Sequence, residues 1–367
     1  MAHTTCVFLV LGLVCAHGLT ELHELHNAAR SKLIDEINAV PGILWKAGRN
    51  PRFEGHPVGA AKTLCGVKKE SHEKLQALRN NGTVQVLKAD STVVPSSFDS
   101  EKHFSMCAKV IGDIRDQSNC GCCWAFGAAS AASDRLCIAT NGTIQVALSA
   151  QETCFCAESD GCDGGDLYTP WEYIQSSGLA TGGQYQNSGP FGKDGLCSDF
   201  SLPHCHHHGP QGNDPYPAEN QPGCPSVSRS PKCPTKCDAE SKAPYSNFKR
   251  DRYSFSGNII SPDSERAIQQ TIMKYGPVEA AFTVYGDFEN YVSGVYHQTS
   301  SEVLGGHAIR IVGWGVESGT KYWKVANSWN PYWGEDGYFR IKRGTNECGI
   351  EDDVTANSGA DWNGPGI

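Results

Sequence analysis

The stretch from Gln117 to Gly127 restricts the fold of this chain strongly, because three closely spaced cysteines lead directly into a helix. Cys123 is followed by alanines and by Trp124, Phe126 and Leu136, a run long enough for about four helical turns. A cysteine in the first turn of a helix lies near unpaired backbone N–H groups and the positive end of the helix dipole, and both favour a thiolate over a thiol. The stretch therefore indicates a reactive cysteine. The alternative, which is the default for most of the 17 cysteines, is a buried or disulfide-bonded residue.

Length, charge and cysteine content define the broad class of the protein. A chain of 367 residues predicts about two domains with accessory segments. The net charge of −9, with both signs dispersed, argues against nucleic-acid binding. Residues 1–18 contain an apolar stretch, Val7 to Cys15, that is too short to span a bilayer and predicts a cleaved signal peptide. Secretion agrees with the many cysteines, and Asn81 and Asn141 begin glycosylation sequons.

The rest of the chain divides into an N-terminal module, a mixed central part and a β-rich end. Apolar residues at helical spacing predict an amphipathic helix from about residue 19 to 40, in a module that extends to about 91. Residues 178–247 are rich in Pro, Gly, Cys and His, which favours an irregular segment held by disulfides. Later patterns predict a helix near 263–275 and strands at 278–285, 307–314, 321–328 and 337–342. Together they predict an α+β fold with two lobes.

A thiolate nucleophile needs an imidazole partner, and that imidazole needs a group that fixes its orientation. His307 begins a predicted strand, and Asn327 lies near the end of a later one. Neighbouring strands can place both side chains at one edge, facing the Cys123 helix across an interface between lobes. With 13 histidines in the chain, a structural or exposed role is the alternative for His307 on its own.

Three motifs, in this order, resemble those of the papain-like cysteine peptidases. They are Cys-Gly-x-Cys-Trp-Ala-Phe at 120–126, Gly-Gly-His-Ala-Ile-Arg at 305–310 and Ala-Asn-Ser-Trp-Asn-x-x-Trp-Gly at 326–334. The resemblance is closest to cathepsin B and extends from about Trp45 to Asp353. It implies a papain-like fold with the active-site cleft between a helical left lobe and a β-barrel-like right lobe, at about 105–250 and 250–355.

The family implies a role for each matching residue. Cys123 would be the nucleophile, His307 its ion-pair partner and later general acid, and Asn327 the residue that orients His307. Gln117 and the Cys123 backbone N–H would form an oxyanion hole, while Trp329 would shield the Asn327–His307 contact from water. The implied reaction is peptide-bond hydrolysis through an acyl-enzyme, with no metal or other cofactor.

Cys123 and His307 are 184 residues apart, whereas about 130–150 is usual for this class. The excess resembles the occluding loop of cathepsin B, here 205–224, closed by Cys205 and Cys224. His207 and His208 would bind the C-terminal carboxylate of a substrate, since imidazolium groups pair well with carboxylates. The alternative is a zinc site in the histidine cluster, but consecutive residues cannot all face one ion.

The attachment of this loop departs from the family pattern. Asp116 remains to face His207, but the loop has no arginine and Tyr332 replaces the acid of a second salt bridge. We therefore expect a less firmly clamped loop, and dipeptidyl carboxypeptidase activity together with substantial endopeptidase activity.

The resemblance also implies a substrate cleft and an inhibitory segment. Gly164 and Gly165 would pair with the backbone of an extended substrate. Asp353 would lie at the floor of the S2 pocket and accept arginine at P2 beside phenylalanine; the alternative is one more surface acid. Residues 19–92 resemble a cathepsin B propeptide, with Leu64-Cys65-Gly66 among the closest points, and 93–367 would form the mature peptidase.

Disulfide pairing is likewise implied by the resemblance. It leaves Cys156 unassigned and Cys348 as a buried thiol, and it pairs Cys107 with Cys137, Cys120 with Cys162, Cys154 with Cys233, Cys197 with Cys237, and Cys205 with Cys224.

The sequence thus predicts a zymogen of a lysosomal or secreted cysteine peptidase. Its expected partners are peptide and protein substrates, its own propeptide and cystatin-type inhibitors, and a monomer without nucleic-acid or membrane partners is expected. A non-catalytic relative is the alternative from a second class, against which the retention of all four catalytic-site residues argues; a zinc-binding secreted protein is a third. Cys122 stands where the family usually has Ser or Ala, and a strained Cys122–Cys123 disulfide would make the enzyme sensitive to oxidants.

Overall fold

The computed structural model describes residues 5–185, 188–204, 229–359 and 361–367, with side chains from residue 21 onward. The predicted occluding loop, with Cys205, His207, His208 and Cys224, lies outside these residues. Among the described helices, none is long and apolar enough to cross a membrane. The helices are α1 (Thr5–Asn38), α2 (Ser71–Asn80), α3 (Ser100–His103), α4 (Ala108–Ile111), α5 (Cys123–Ala139), α6 (Ala150–Cys156), α7 (Thr169–Ser177) and α8 (Glu265–Tyr275).

The strands lie at both ends of the chain. The N-terminal module contributes β1 (Trp45–Ala47) and β2 (Gln85–Leu87). The remaining strands are β3 (Phe98–Asp99), β4 (Ser254–Phe255), β5 (Ile259–Pro262), β6 (Val278–Tyr285), β7 (Tyr291–Tyr296), β8 (Val303–Glu317), β9 (Thr320–Ala326), β10 (Tyr338–Lys342), β11 (Val354–Asn357) and β12 (Trp362–Asn363). Helices therefore dominate residues 100–177 and strands dominate residues 254–363, which is the α+β arrangement with two lobes.

Helix α5 is the centre of the helical lobe. Every residue from Cys123 to Cys137 is buried, because alanine, glycine and serine let α6 and β8 pack closely against it. Its charged groups are paired: Arg135 donates to the carbonyls of Pro277 at 2.8 Å and Gly276 at 3.1 Å, and Asp134 accepts from Arg310 at 2.6 Å. These contacts fix the C-terminal part of α5 against the β-rich lobe.

One large sheet forms the β-rich lobe, in the order β1-β7-β10-β9-β8-β6-β11-β5-β2, with β3 paired to β8. Strands β6, β8, β9 and β10 are antiparallel neighbours, and His307 on β8 stands opposite Phe282 on β6. Asn327 follows β9 directly, so the β8–β9 pair brings both residues to the same part of the sheet. The N-terminal module supplies both end strands: β1 pairs with β7, and β2 pairs with β5.

Local sequence signals account for the element boundaries near the site. Ser149 caps α6, since its Oγ accepts from the Glu152 N–H at 3.2 Å, as the Ser-x-x-Glu pattern suggests. Ser264 caps α8 in the same way, and Gly276 ends it with a φ of 98° that glycine adopts without strain.

Candidate active site

Cys123 is the first residue of α5 and is fully buried. Its Sγ accepts a hydrogen bond from the Gly66 N–H of the N-terminal module at 3.2 Å. Burial raises the pKa of Cys123 to about 12, against the opposing effect of backbone donors at Ala308, Gly66 and Trp124. In this covered state the sulfur is therefore a neutral thiol.

His307 is covered by the same part of the N-terminal module, near Leu64 and Gly66, and is also fully buried. Its Nε2 is 2.8 Å from Asn327 Oδ1, and its Nδ1 is 3.2 Å from the carbonyl oxygen of Leu64. Burial lowers the pKa of His307 to about 4 and outweighs the two oxygens, which favour the protonated ring. Trp329 is buried against the imidazole with ring centroids 5.0 Å apart, so water has no direct access from that side.

Gln117 connects the two lobes at the site. Its Nε2 donates to the Leu64 carbonyl at 3.0 Å and to the Cys120 carbonyl at 2.8 Å. Its Oε1 accepts from Ser328 Oγ at 2.8 Å, and its backbone N–H donates to Ser328 O at 2.9 Å. The Leu64 carbonyl is thus held between the amide of Gln117 and the imidazole of His307.

Gly165 forms two backbone hydrogen bonds with the N-terminal module. Its N–H donates to Gly66 O at 2.9 Å, and its carbonyl accepts from the Lys68 N–H at 2.9 Å. A Cβ on Gly165 would lie 2.4 Å from the Trp124 ring, while Gly164 has a φ of 105°. A side chain at Gly165 would therefore clash with Trp124, and a Cβ at Gly164 would lie 2.7 Å from the carbonyl oxygen of Gly66, which lies in the cleft.

Asp353 borders a cavity of about 360 Å³ next to this segment, which is lined also by Val67, Ala281 and Phe282. Its Oδ1 is 2.9 Å from Nδ1 of His72 in the N-terminal module. Burial raises the pKa of Asp353, although His72 opposes this effect. A basic side chain thus already stands beside the acid that the sequence assigned to the S2 pocket.

Two buried ion pairs hold the N-terminal module to the body, and neither was predicted from the sequence. Arg30 donates to Glu289 at 2.7 Å, and Glu289 also accepts from the backbone N–H groups of Gly59 and Ala61. Glu289 lies more than 200 residues from each of these partners in the chain, so no local pattern connects them.

The second pair changes the interpretation of Asp116. Arg52 donates to its Oδ1 at 2.9 Å, and His204 Nδ1 lies 3.8 Å from its Oδ2. Asp116 is completely buried, and burial alone would raise its pKa. The nearby Arg52 and His204 outweigh this effect and lower the pKa of Asp116. The carboxylate expected to face His207 is therefore occupied by Arg52 in this form of the protein.

The disulfides correct one predicted pairing. The described residues form Cys107–Cys137, Cys120–Cys162 and Cys197–Cys237, and the fourth bond joins Cys156, not Cys154, to Cys233. Cys154 and Cys156 are two residues apart on α6 and point in different directions: Cys154 is buried against the body, whereas Cys156 is half-buried at the end of the helix. Cys154 is a free thiol, and Cys348 is a free thiol that is half-buried instead of buried.

Comparison with known proteins identifies the family. Residues 94–358 match the papain family cysteine protease, and residues 30–71 match the peptidase family C1 propeptide. A cathepsin B-like cysteine proteinase of Schistosoma japonicum is 41% identical over 344 residues, 93% of this chain and 94% of the relative. Cathepsin B-like cysteine proteinase 4 of Caenorhabditis elegans is 45% identical over 273 residues, 73% of this chain and 77% of the relative. The solved structure of proCathepsin B S9 from Trypanosoma congolense has a TM-score of 0.67 at 30% identity, covering 89% of this chain and 97% of that one. The chain therefore belongs to the papain family of cysteine proteases and carries the propeptide of that family.

Proposed function

We propose that this chain is the zymogen of a cathepsin B-type peptidase that cleaves peptide bonds through a Cys123 thiolate and an acyl-enzyme. The observation that carries the proposal is the position of one peptide carbonyl. The Leu64 carbonyl accepts from Gln117 Nε2 and faces His307 Nδ1, while the nearby Gly66 N–H contacts Cys123 Sγ. A substrate carbonyl requires a nucleophile, an oxyanion donor and a proton donor in such proximity.

The covering propeptide keeps Cys123 and His307 uncharged. Its removal would return water to Cys123 and His307 and so relieve the burial that raises one pKa and lowers the other. The start of α5 would then favour the thiolate, and His307 would carry the proton. Asn327 would hold the imidazolium through its Oδ1.

Each step of the reaction has a residue to perform it. The thiolate of Cys123 attacks the substrate carbonyl carbon, and the resulting oxyanion accepts hydrogen bonds from Gln117 Nε2 and the Cys123 backbone N–H. His307 gives its proton to the leaving amine, which leaves an acyl-enzyme. Water then attacks the acyl group with His307 as base, and the thiol is released.

Substrate selection would follow the contacts of the propeptide. Gly165 would pair with the substrate backbone as it does with Gly66 and Lys68, and Gly164 would lie beside the substrate. Asp353 would bind arginine at P2, since His72 already contacts it in the cavity. His207 and His208 would bind a C-terminal carboxylate and add dipeptidyl carboxypeptidase activity to endopeptidase activity.

The same proposal includes an acidic lysosome-like or secreted location, regulation by cystatin-type inhibitors, a monomeric state, and glycosylation at the exposed Asn81 and Asn141.

The decisive experiment is labelling of acid-processed protein with a peptidyl epoxide of the kind that inhibits this family. We expect one label per chain, located on Cys123 by peptide mapping, and loss of both label and activity in Cys123→Ala. A label on Cys122, or activity that survives Cys123→Ala, would exclude the mechanism. Replacing His207 and His208 by alanine should remove carboxydipeptidase turnover and spare endopeptidase turnover.

A further inference from the structure

A cluster of sulfur atoms lies directly behind the start of α5. Cys120, Cys122 and Cys154 are buried, and their Sγ atoms all lie within 4.8 Å of one another. Cys120 is bonded to Cys162, and its Sγ is 3.9 Å from that of Cys154. Cys122 and Cys154 are thus two free thiols in the hydrophobic core, beside an existing disulfide.

We propose that Cys122 and Cys154 form a disulfide when the protein folds under oxidising conditions. Cys122 immediately precedes α5 and Cys154 lies in α6, which packs against α5. Rotation about the Cα–Cβ bonds moves each sulfur and can bring closer two sulfurs that lie within 4.8 Å of one another. The bond would tie the residue before Cys123 to the neighbouring helix.

The other described thiols are poorer partners for Cys122. Cys123 is its chain neighbour, and a disulfide between adjacent residues is strained. Moreover, Cys123 Sγ is already engaged with the Gly66 N–H. The sulfur cluster includes neither Cys65 nor Cys348. Among the described residues, Cys154 is therefore the free thiol that Cys122 can reach.

The oxidant is a disulfide of the folding compartment, either a small molecule or a protein, of the kind that must form the four disulfides already present. One thiolate attacks this disulfide, forms a mixed disulfide and releases the first reduced thiol. The second thiolate then attacks the mixed disulfide at the protein sulfur, which forms Cys122–Cys154 and releases the second reduced thiol. Two cysteines are oxidised and one disulfide oxidant is reduced.

The bond has a consequence for the neighbouring nucleophile. A free Cys122 could combine with Cys123 under oxidation, as the sequence suggested, whereas a Cys122 bonded to Cys154 cannot. Cys154 would thus preserve Cys123 as a thiol in the compartment that oxidises the other cysteines. This inference goes beyond peptidase activity, and its test does not depend on activity.

The test counts free thiols in the secreted full-length zymogen. The protein is denatured without reductant and alkylated with N-ethylmaleimide, and the modified residues are identified by mass spectrometry. Relative to wild type, Cys122→Ser should gain one alkylated residue, Cys154, and the double variant with Cys154→Ser should match wild type. As a control, Cys348→Ser should lose one.

Three results would overturn the proposal. Loss of one alkylated residue in Cys122→Ser would show that Cys122 is free in the wild type. A gain at Cys123 instead of Cys154 would assign the bond to the adjacent pair. A wild-type peptide map that links Cys154 to Cys120 would exclude the pairing without any variant, so poor folding of a variant would not leave the question open.

Discussion

Replacing Gly66 by alanine should loosen the propeptide without changing any residue of the mature enzyme. A Cβ at this position would lie 1.6 Å from the backbone oxygen of Gly121, whereas real Cβ contacts are no shorter than 3.0 Å. The segment must therefore retreat by at least 1.4 Å, the difference between these distances. Because Gly121 is itself packed against the backbone of Cys162, it cannot yield instead.

The size of the effect follows from the hydrogen bonds around Gly66. Its N–H donates to Cys123 Sγ, its carbonyl accepts from Gly165, and the Lys68 N–H donates to Gly165 O, at 3.2, 2.9 and 2.9 Å. A retreat of this size stretches all three beyond bonding distance. At about 1 kcal/mol each, docking weakens by roughly 2–4 kcal/mol, or about 30- to 1000-fold.

The assay is the rate at which a peptidyl epoxide labels Cys123 in the uncleaved zymogen at neutral pH. The rate reports the fraction of molecules with an open cleft, so Gly66→Ala should label about 30- to 1000-fold faster until opening is complete. Glu73→Ala is the control, because it changes an exposed side chain on α2 of the same propeptide. Equal labelling of Gly66→Ala and wild type would show that this contact does not hold the cleft closed.

Three further predictions concern catalysis, specificity and pH. Gln117→Ala should lower kcat of the processed enzyme about 100- to 1000-fold, because an oxyanion donor is lost; an unchanged kcat would remove it from the oxyanion hole. Asp353→Asn should lower the ratio of Arg-Arg to Phe-Arg substrate cleavage, and an unaltered ratio would contradict the S2 assignment. Burial raises the pKa of Asp199 to about 7, so the folded chain takes up a proton there as pH falls from about 7 while the unfolded chain does not until about pH 4. The charged form of this buried carboxylate lowers stability above about pH 7, and the penalty shrinks as the pH falls toward about 4, so Asp199→Asn should raise the unfolding temperature more at about pH 8 than at about pH 5; equal shifts by calorimetry would refute this.

The positions of the main elements could be predicted from short-range patterns. The small-residue run after Cys123 became α5, and the predicted strand at 278–285 became β6. His307 and Asn327 could be connected because three motifs with several matching residues occur in one order. The helix and strand patterns depend only on neighbouring residues. The three motifs combine residue types that few other structures require.

Contacts between distant residues could not be predicted in the same way. Arg30 and Glu289 are 259 positions apart, and either would pass for a surface charge in the sequence. Cys154 and Cys156 differ only in which side of α6 they face, and the rotational setting of a seven-residue helix depends on its packing, not on cysteine spacing. Pairing by resemblance therefore chose the wrong cysteine for Cys233.

Removal of the propeptide would also affect how the mature chain refolds. Strands β1 and β2 form the two ends of the sheet, and both belong to the module that processing near residue 92 would remove. The mature domain then keeps β7 and β5 as ends, with backbone groups that were paired while the sheet was being built. Strands β1 and β2 are present when the zymogen folds but absent from the mature enzyme. A denatured mature chain would therefore have to refold its sheet without these two end strands.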